Sequence, residues 1–163
     1  MQLVIADTGP VNYLILIGYI DLLPRLFEKV TLPAAVQDEL MDIGAPPEVR
    51  SWASDPPVWV ELLETHGVKR GFVGLGEGEA AVIALAELLH ADLLLIDERK
   101  GVRAARSQGF RVTGTLGLLE MAAQAGLVDF GQAAERLRRT TFRSPDALIE
   151  LMLKRHGKKG SDV

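Results

Sequence analysis

The stretch that most constrains the fold is LVIAD at residues 3–7, where four apolar residues run directly into a carboxylate. Such a run is typical of a parallel strand covered on both faces, because that strand has no solvent-exposed side to alternate with. Ligands of open α/β sheets collect beyond the carboxyl ends of the strands, so Asp7 stands where chemistry is expected. Alternatively, Asp7 only caps a helix opened by Gly9-Pro10. This stretch alone leaves both interpretations open.

Length and composition limit the kinds of site that the chain can build. The 163 residues suit one domain, and we expect it to cover residues 1–156 with two C-terminal helices, followed by a disordered tail at 157–163. The chain has no Cys and three scattered His, so thiolate or imidazole metal sites are not expected. Any bound metal would be held by oxygen.

Charge and hydropathy restrict the binding partners and the cellular location that are expected for the protein. The net charge of −4 argues against a protein that coats nucleic acid, although it is compatible with a local basic patch. The apolar runs are too short to span a bilayer, and a signal-peptide pattern is missing after Met1. We therefore expect a cytoplasmic protein that does not contact a membrane.

Short apolar runs alternate with helical patterns along the chain. This alternation predicts an α/β fold of three layers, in which a parallel sheet lies between two layers of helices. A glycine-rich loop is predicted at 65–77. Two C-terminal helices are expected after Asp129 and Ser144, the second with Pro145 at its first position. The other predicted elements are strands at 3–6, 30–32, 58–62, 93–96 and 110–112 and helices at 12–17, 22–27, 33–43, 49–53, 79–89, 99–107 and 115–125.

Four acidic residues are candidates for a shared site. Asp7 and Asp97 each follow a buried strand, whereas Glu39 and Glu79 flank the apolar stripes of two helices. Considered alone, each glutamate is more simply explained as a solvent-exposed residue at the edge of the apolar stripe. If the two strands are neighbours at the switch point of the sheet, however, four carboxylates converge there, and uncompensated like charges are costly. Such a cluster of carboxylates is usually neutralised by a hard cation, Mg²⁺ or Mn²⁺. This points to metal-assisted phosphodiester hydrolysis.

The chain resembles the PIN-domain nucleases, and in particular the VapC-like branch, which includes many small toxin ribonucleases. The resemblance implies an acidic quartet at Asp7, Glu39, Glu79 and Asp97, with Thr8 as a substrate-binding hydroxyl beside the first acid. It also implies a five-stranded parallel sheet in which the strands before Asp7 and Asp97 are adjacent. The pieces that carry it are LVIADTGP at 3–10, LPAAV at 32–36 with EL at 39–40, GEA at 78–80 with IALA at 83–86, LLIDER at 94–99 and GTLGLL at 114–119.

The resemblance further implies an endoribonuclease that depends on Mg²⁺ or Mn²⁺. Asp7 and Asp97 would be the direct ligands, and Glu39 and Glu79 would complete the site or orient the attacking water. A homodimer is implied as well, and a small antitoxin partner if the protein is a toxin. In the toxins the last acid is commonly followed by an Asp and an aromatic residue, whereas Glu98-Arg99-Lys100 follow Asp97 here. Substrate and toxin role therefore stay open.

Arg99, Lys100 and Arg103 lie on a basic helix directly after Asp97. The simpler interpretation is a solvated helix face. The functional interpretation is a surface that guides RNA phosphates toward Asp97.

Other motifs in the chain have weaker claims. Asp7-Thr8-Gly9 is the aspartic-protease triplet, but that chemistry pairs two such triplets in an all-β dimer, and this chain is helix-rich. The glycines at 74–78 lack dinucleotide spacing, so a hinge loop is favoured. Glu77 could replace Glu79 as a ligand, but it is expected before the helix.

Two further functions have weaker support in the sequence. An aspartyl phosphotransferase would want a second acid two residues after Asp7, where Gly9 stands. A catalytically silent module that keeps the fold as a binding scaffold belongs to a different class. The retention of all four acids weighs against it.

Overall fold

The computed structural model describes residues 2–65, 74–144 and 146–161, with side chains through residue 156. The strands are β1 (Val4–Ala6), β2 (Val30–Pro33), β3 (Val60–Leu63), β4 (Leu93–Leu95) and β5 (Val112–Thr113). The helices are α1 (Thr8–Leu16), α2 (Leu22–Phe27), α3 (Ala34–Leu40), α4 (Pro47–Ser54), α5 (Glu77–Leu89), α6 (Arg99–Ser107), α7 (Thr115–Gln124), α8 (Phe130–Arg138) and α9 (Asp146–Ser161).

The five strands form one sheet in the order β3-β2-β1-β4-β5, and each neighbouring pair is parallel. β1 and β4 are buried along their whole length, as their apolar sequences predicted. The three-layer α/β fold with a five-stranded parallel sheet is confirmed. The chain order reverses between β1 and β4, so this pair forms the switch point at which ligands of such sheets bind.

The chain divides into two compact units, residues 1–115 and 116–163. The first contains the whole sheet and the helices α1 to α6. In the second, α8 packs against α9, and Asp129 caps α8 by accepting a hydrogen bond from the backbone N–H of Gln132 at 2.8 Å, as predicted. The single domain expected over residues 1–156 stays a prediction. None of the helices within the described ranges is both long and apolar enough to span a membrane.

Several boundaries differ from those predicted. α3 ends at Leu40 rather than near residue 43, because the Asp42 carboxylate accepts the backbone N–H of Gly44 at 2.8 Å and turns the chain. The helical spacing of Val36, Leu40 and Ile43 predicts that all three are buried, but Ile43 is 89% exposed. β3 begins at Val60 because residues 58–59 form a turn, in which the backbone N–H of Val60 donates to the Pro57 carbonyl at 3.0 Å. The backbone N–H of Phe110 donates a hydrogen bond to the Ala105 carbonyl at the end of α6, so β5 begins only at Val112.

Some helix ends lie where the sequence predicts them, and others do not. A glycine that follows a helical pattern predicts a left-handed helix end, and Gly18 after α1 and Gly126 after α7 do adopt positive φ, 82° and 74°. α5 begins at Glu77 instead of Glu79, which places Glu77 inside the helix. α9 extends through Ser161, into the segment expected as a disordered tail. Residues 66–73 of the predicted glycine-rich loop, Pro145 and residues 162–163 lie outside the described residues.

Candidate active site

Asp7 and Asp97 lie at the same edge of the sheet because the strands before them are adjacent and parallel. Ala6 pairs with Leu95 across β1 and β4. The backbone N–H of Asp7 donates a hydrogen bond to the Leu95 carbonyl at 2.8 Å. The carboxyl ends of both strands therefore open on one side, and the adjacency that the resemblance implied is confirmed.

Asp7 is the most buried of the four acids, with only 4% of its surface exposed. It occupies the N-cap position of α1, yet its side chain makes no capping hydrogen bond. Its Oδ1 is buried and has no hydrogen-bond partner among the described residues. Leaving a buried acceptor unsatisfied typically costs about 1–3 kcal/mol. A capping role therefore does not account for this side chain, whereas a ligand for Oδ1 would.

The pKa of Asp7 is raised from 3.8 to about 7. Burial is the largest cause, and a hydrogen bond from the backbone of Thr8 partly opposes it. The negative charges of the other three acids raise the pKa further, in the order Glu79, Glu39, Asp97. The structure thus places the other three carboxylates close enough for their charges to act on Asp7.

The Asp97 side chain is half-buried and accepts its hydrogen bonds from α7 rather than from the nearby helix α6. The N-cap of α6 is Glu98, which makes no capping hydrogen bond. The Asp97 carboxylate instead accepts two hydrogen bonds from Thr115, from the backbone N–H to Oδ1 at 2.7 Å and from the hydroxyl to Oδ2 at 2.6 Å. Burial raises the pKa of Asp97, and these two bonds oppose the rise.

Glu39, on α3, links the start of α1 to the start of α5. Its Oε2 accepts a hydrogen bond from the Thr8 hydroxyl. Its Oε1 accepts the backbone N–H of Gly78 at 2.9 Å. Thr8, expected to contact substrate, thus contacts a carboxylate of the quartet in this structure.

Glu79 is half-buried in the first turn of α5. Its Oε2 accepts the backbone N–H of Gly76 at 3.0 Å, which is half of a capping box. The aliphatic stem of Glu79 faces Gly101 of α6, where an added Cβ would lie 3.4 Å from its Cγ. Glu77, the alternative ligand, is exposed, so the burial favours Glu79.

The donor set at this edge is compatible with a hard divalent cation. All four residues supply carboxylate oxygen, and the unpartnered Oδ1 of Asp7 is a buried acceptor that a cation would satisfy. In the described ranges, however, no three Asp, Glu, His or Cys side chains are arranged to hold a metal ion together. Glu39, Glu79 and Asp97 each accept a hydrogen bond from a donor of the chain itself.

The basic helix α6 begins two residues after Asp97, with the bounds that the sequence predicted. Arg99, Lys100, Arg103 and Arg106 are all exposed. Within the described part of the chain, none of the ion pairs involves these four side chains. Positions 99, 103 and 106 have the spacing of one helix face, so the structure places a stripe of unpaired cations beside the acidic site.

Thr115 and Gly78 were missed as site residues by the sequence reasoning. Both stood inside motifs that carried the resemblance, but a threonine and a glycine at helix starts have a sufficient structural explanation in sequence alone. The signal that could have found Thr115 is its place two residues after the last strand of the sheet. That position puts its donors at the same edge as the strand-end acids.

Comparison with known proteins agrees with the fold. A family model described as a PIN domain matches residues 3–158. No curated protein matches the chain significantly. PIN domains are in general nucleases that use divalent metal ions, and a nuclease domain binds nucleic acid. Because the match covers nearly the entire sequence, the chain belongs to the PIN-domain family.

Proposed function

We propose that this protein is an endoribonuclease of the VapC-like branch that requires Mg²⁺ or Mn²⁺. The observation that carries the proposal is the Asp7 carboxylate. It is buried at the switch point of the sheet, its Oδ1 has no partner among the described residues, and three further carboxylates act on it. An arrangement of this kind costs stability unless a cation compensates it, so its presence favours a function over a structural role.

Asp7 and Asp97 would hold the cation directly, and Glu39 and Glu79 would complete its surroundings or orient water. When bound, the cation would neutralise the carboxylates and stabilise negative charge that develops on the phosphate. The chain itself performs the other tasks. Thr8 fixes Glu39 through its hydroxyl, and Arg99, Lys100 and Arg103 would bind the RNA backbone on either side of the scissile phosphate.

Cleavage assays test this proposal. With Mn²⁺ or Mg²⁺, the protein should cut RNA at internal phosphodiesters, and EDTA should abolish cleavage. Asp7→Asn should lose activity by at least about a hundredfold, in line with the loss of a preorganised electrostatic group. Glu98→Gln removes an exposed acid next to Asp97 and is the matched control that should retain activity.

The outcomes separate the alternatives. Cleavage that survives both EDTA and Asp7→Asn would contradict a metal nuclease. Cleavage of single-stranded DNA in preference to RNA would keep the metal chemistry but overturn the substrate. Absence of any cleavage would favour the silent scaffold, which one observation supports: three of the four acids are already bonded to donors of the chain.

The toxin role belongs to the same proposal and is supported by the resemblance alone. A toxin would have a small antitoxin partner, and the branch implies a homodimer. An adjacent small open reading frame whose product co-purifies with this protein would support the pair. Elution of the purified protein as a monomer at micromolar concentration would contradict the homodimer.

A further inference from the structure

Thr115 is the one residue that bonds both oxygens of the Asp97 carboxylate in the described structure. It is fully buried, at 0% exposure, and is the first residue of α7. Its backbone N–H reaches Oδ1 at 2.7 Å and its hydroxyl reaches Oδ2 at 2.6 Å. Two donors from a single buried residue fix both the position and the rotation of the carboxylate.

Two glycines leave the room that this arrangement needs. A Cβ added to Gly114 would lie 2.6 Å from Asp97 Oδ1, which is closer than real Cβ atoms approach. A Cβ added to Gly9 would lie 3.1 Å from Oδ2. The chain therefore keeps side chains away from both oxygens while Thr115 supplies the hydrogen bonds.

A carboxylate oxygen has about two lone-pair sites, so Thr115 occupies one on each oxygen of Asp97 and leaves the other free. In Asp7, by contrast, Oδ1 has no partner among the described residues. The Asp97 carboxylate is thus held in place by Thr115, whereas Oδ1 of Asp7 lacks a hydrogen-bond partner among the described residues. This division suits a site in which a fixed ligand prepares the position of a cation.

We propose that Thr115 is a positioning residue, which fixes the Asp97 carboxylate for the divalent cation of the proposed nuclease. The inference rests on the proposed function. It differs from a merely structural role, in which Asp97 serves the start of α7 as a capping acceptor and the threonine hydroxyl has no effect on metal binding. Partners that orient metal ligands typically contribute about 10- to 100-fold in metal affinity.

The test compares three variants of the whole protein by isothermal titration with Mn²⁺. Thr115→Val removes the hydroxyl but keeps the shape and the backbone N–H. Thr115→Ser keeps both donors. Thr31→Val, at a threonine of β2 that is 2% exposed, controls for burying a valine in place of a threonine. Thr115→Val should weaken Mn²⁺ binding about 10- to 100-fold and lower kcat, whereas the other two variants should bind within roughly threefold of the wild type.

The outcomes are distinct from those for the nuclease proposal. If the wild type binds Mn²⁺ and cleaves RNA, but Thr115→Val binds as the wild type does, the positioning role is wrong and the nuclease stands. Equal losses in Thr115→Val and Thr115→Ser would also overturn it, because the hydroxyl would not be the cause. If the wild type binds no Mn²⁺, both proposals fail. Should Thr115→Val not fold, Thr115→Cys, whose thiol is a weak donor, takes its place with the same expectations.

Discussion

The Glu39 carboxylate accepts the backbone N–H of Gly78 at 2.9 Å, so an acid on α3 is held by the first turn of α5. The contact depends on the missing side chain. A Cβ added at position 78 would lie 2.6 Å from Oε2 and 2.8 Å from Oε1 of Glu39. Position 78 therefore requires glycine, because any side chain there would collide with the Glu39 carboxylate.

Gly78→Ala should reduce RNA cleavage without unfolding the protein. The added methyl group would displace Glu39, and a misplacement of about 1 Å near a reacting centre can cost up to roughly a hundredfold in rate. Alanine favours a helix over glycine by about 0.8–1.0 kcal/mol, which offsets part of the lost contact. Cleavage rate and thermal unfolding are measured on the same samples. Gly44→Ala, in an exposed turn, is the control, and wild-type activity in Gly78→Ala would show that the Glu39 position is unimportant.

The stability of the metal-free protein should fall as the pH rises from about 4 to 7. Because the pKa of Asp7 is about 7 when folded and 3.8 in its ordinary state, the folded protein keeps a proton that the unfolded chain releases in this window. One pKa unit corresponds to about 1.4 kcal/mol, so the loss is on the order of 4 kcal/mol and levels off above pH 7. Burial raises the pKa of Asp97 too, which acts in the same direction.

Urea unfolding in EDTA at several pH values measures this dependence. Asp7→Asn has no carboxyl group to titrate at this position, so most of the slope should disappear and the variant should exceed the wild type in stability above pH 7. Asp38→Asn, at an exposed acid of α3, should keep the wild-type slope. Parallel curves for Asp7→Asn and the wild type would mean that Asp7 does not cause the effect.

Replacing Arg99, Lys100 and Arg103 together by Ala should weaken RNA binding and flatten its salt dependence. Each phosphate contact on a single strand contributes about 0.7 to the slope of log K against log salt, so three lost contacts reduce the slope by roughly 2. Fluorescence anisotropy with a labelled RNA between low and moderate salt gives the slope. The triple variant Arg139→Ala, Arg143→Ala, Lys154→Ala makes the same charge change at exposed positions of the C-terminal unit. If both triple variants show the same slope of log K against log salt, the basic side chains of α6 only face solvent and do not contact RNA phosphates.

The fold was predictable where local pattern and tertiary structure agree. The apolar runs at β1 and β4 and the basic helix α6 lie where the sequence placed them, because complete burial and high amphipathicity each leave a direct signal. Ile43 shows the limit of such patterns. It has the spacing of the buried stripe, yet the turn made by Asp42 and Gly44 ends the helix first.

The site was predictable as a set of acids but not as a network. Strand-end positions selected Asp7 and Asp97, since the topology of a parallel sheet brings such ends together. The donors that hold the acids could not be found in this way. Thr115 is 18 residues from Asp97 and Gly78 is 39 from Glu39, and periodicity carries no information about contacts of that separation.

Mn²⁺ should stabilise the wild type but not a variant that lacks the Asp97 charge. A ligand that binds only the folded state at about a hundred times its Kd adds about 2.7 kcal/mol. For a chain of this size, that corresponds to a rise in Tm of about 5 to 11 °C. Asp97→Asn keeps an amide oxygen for the backbone N–H of Thr115, so it should fold in EDTA and lose most of the Mn²⁺ effect.

Asp97→Ala measures the structural part of this residue's role. It leaves the buried N–H and hydroxyl of Thr115 without their acceptor, which should cost about 1–3 kcal/mol with or without metal. Thermal unfolding of the wild type, Asp97→Asn, Asp97→Ala and the control Glu98→Gln, each in EDTA and in Mn²⁺, gives both quantities. If Asp97 only supports α7, Asp97→Asn will show the full Mn²⁺ shift of the wild type and of Glu98→Gln, and the cation site must then lie elsewhere.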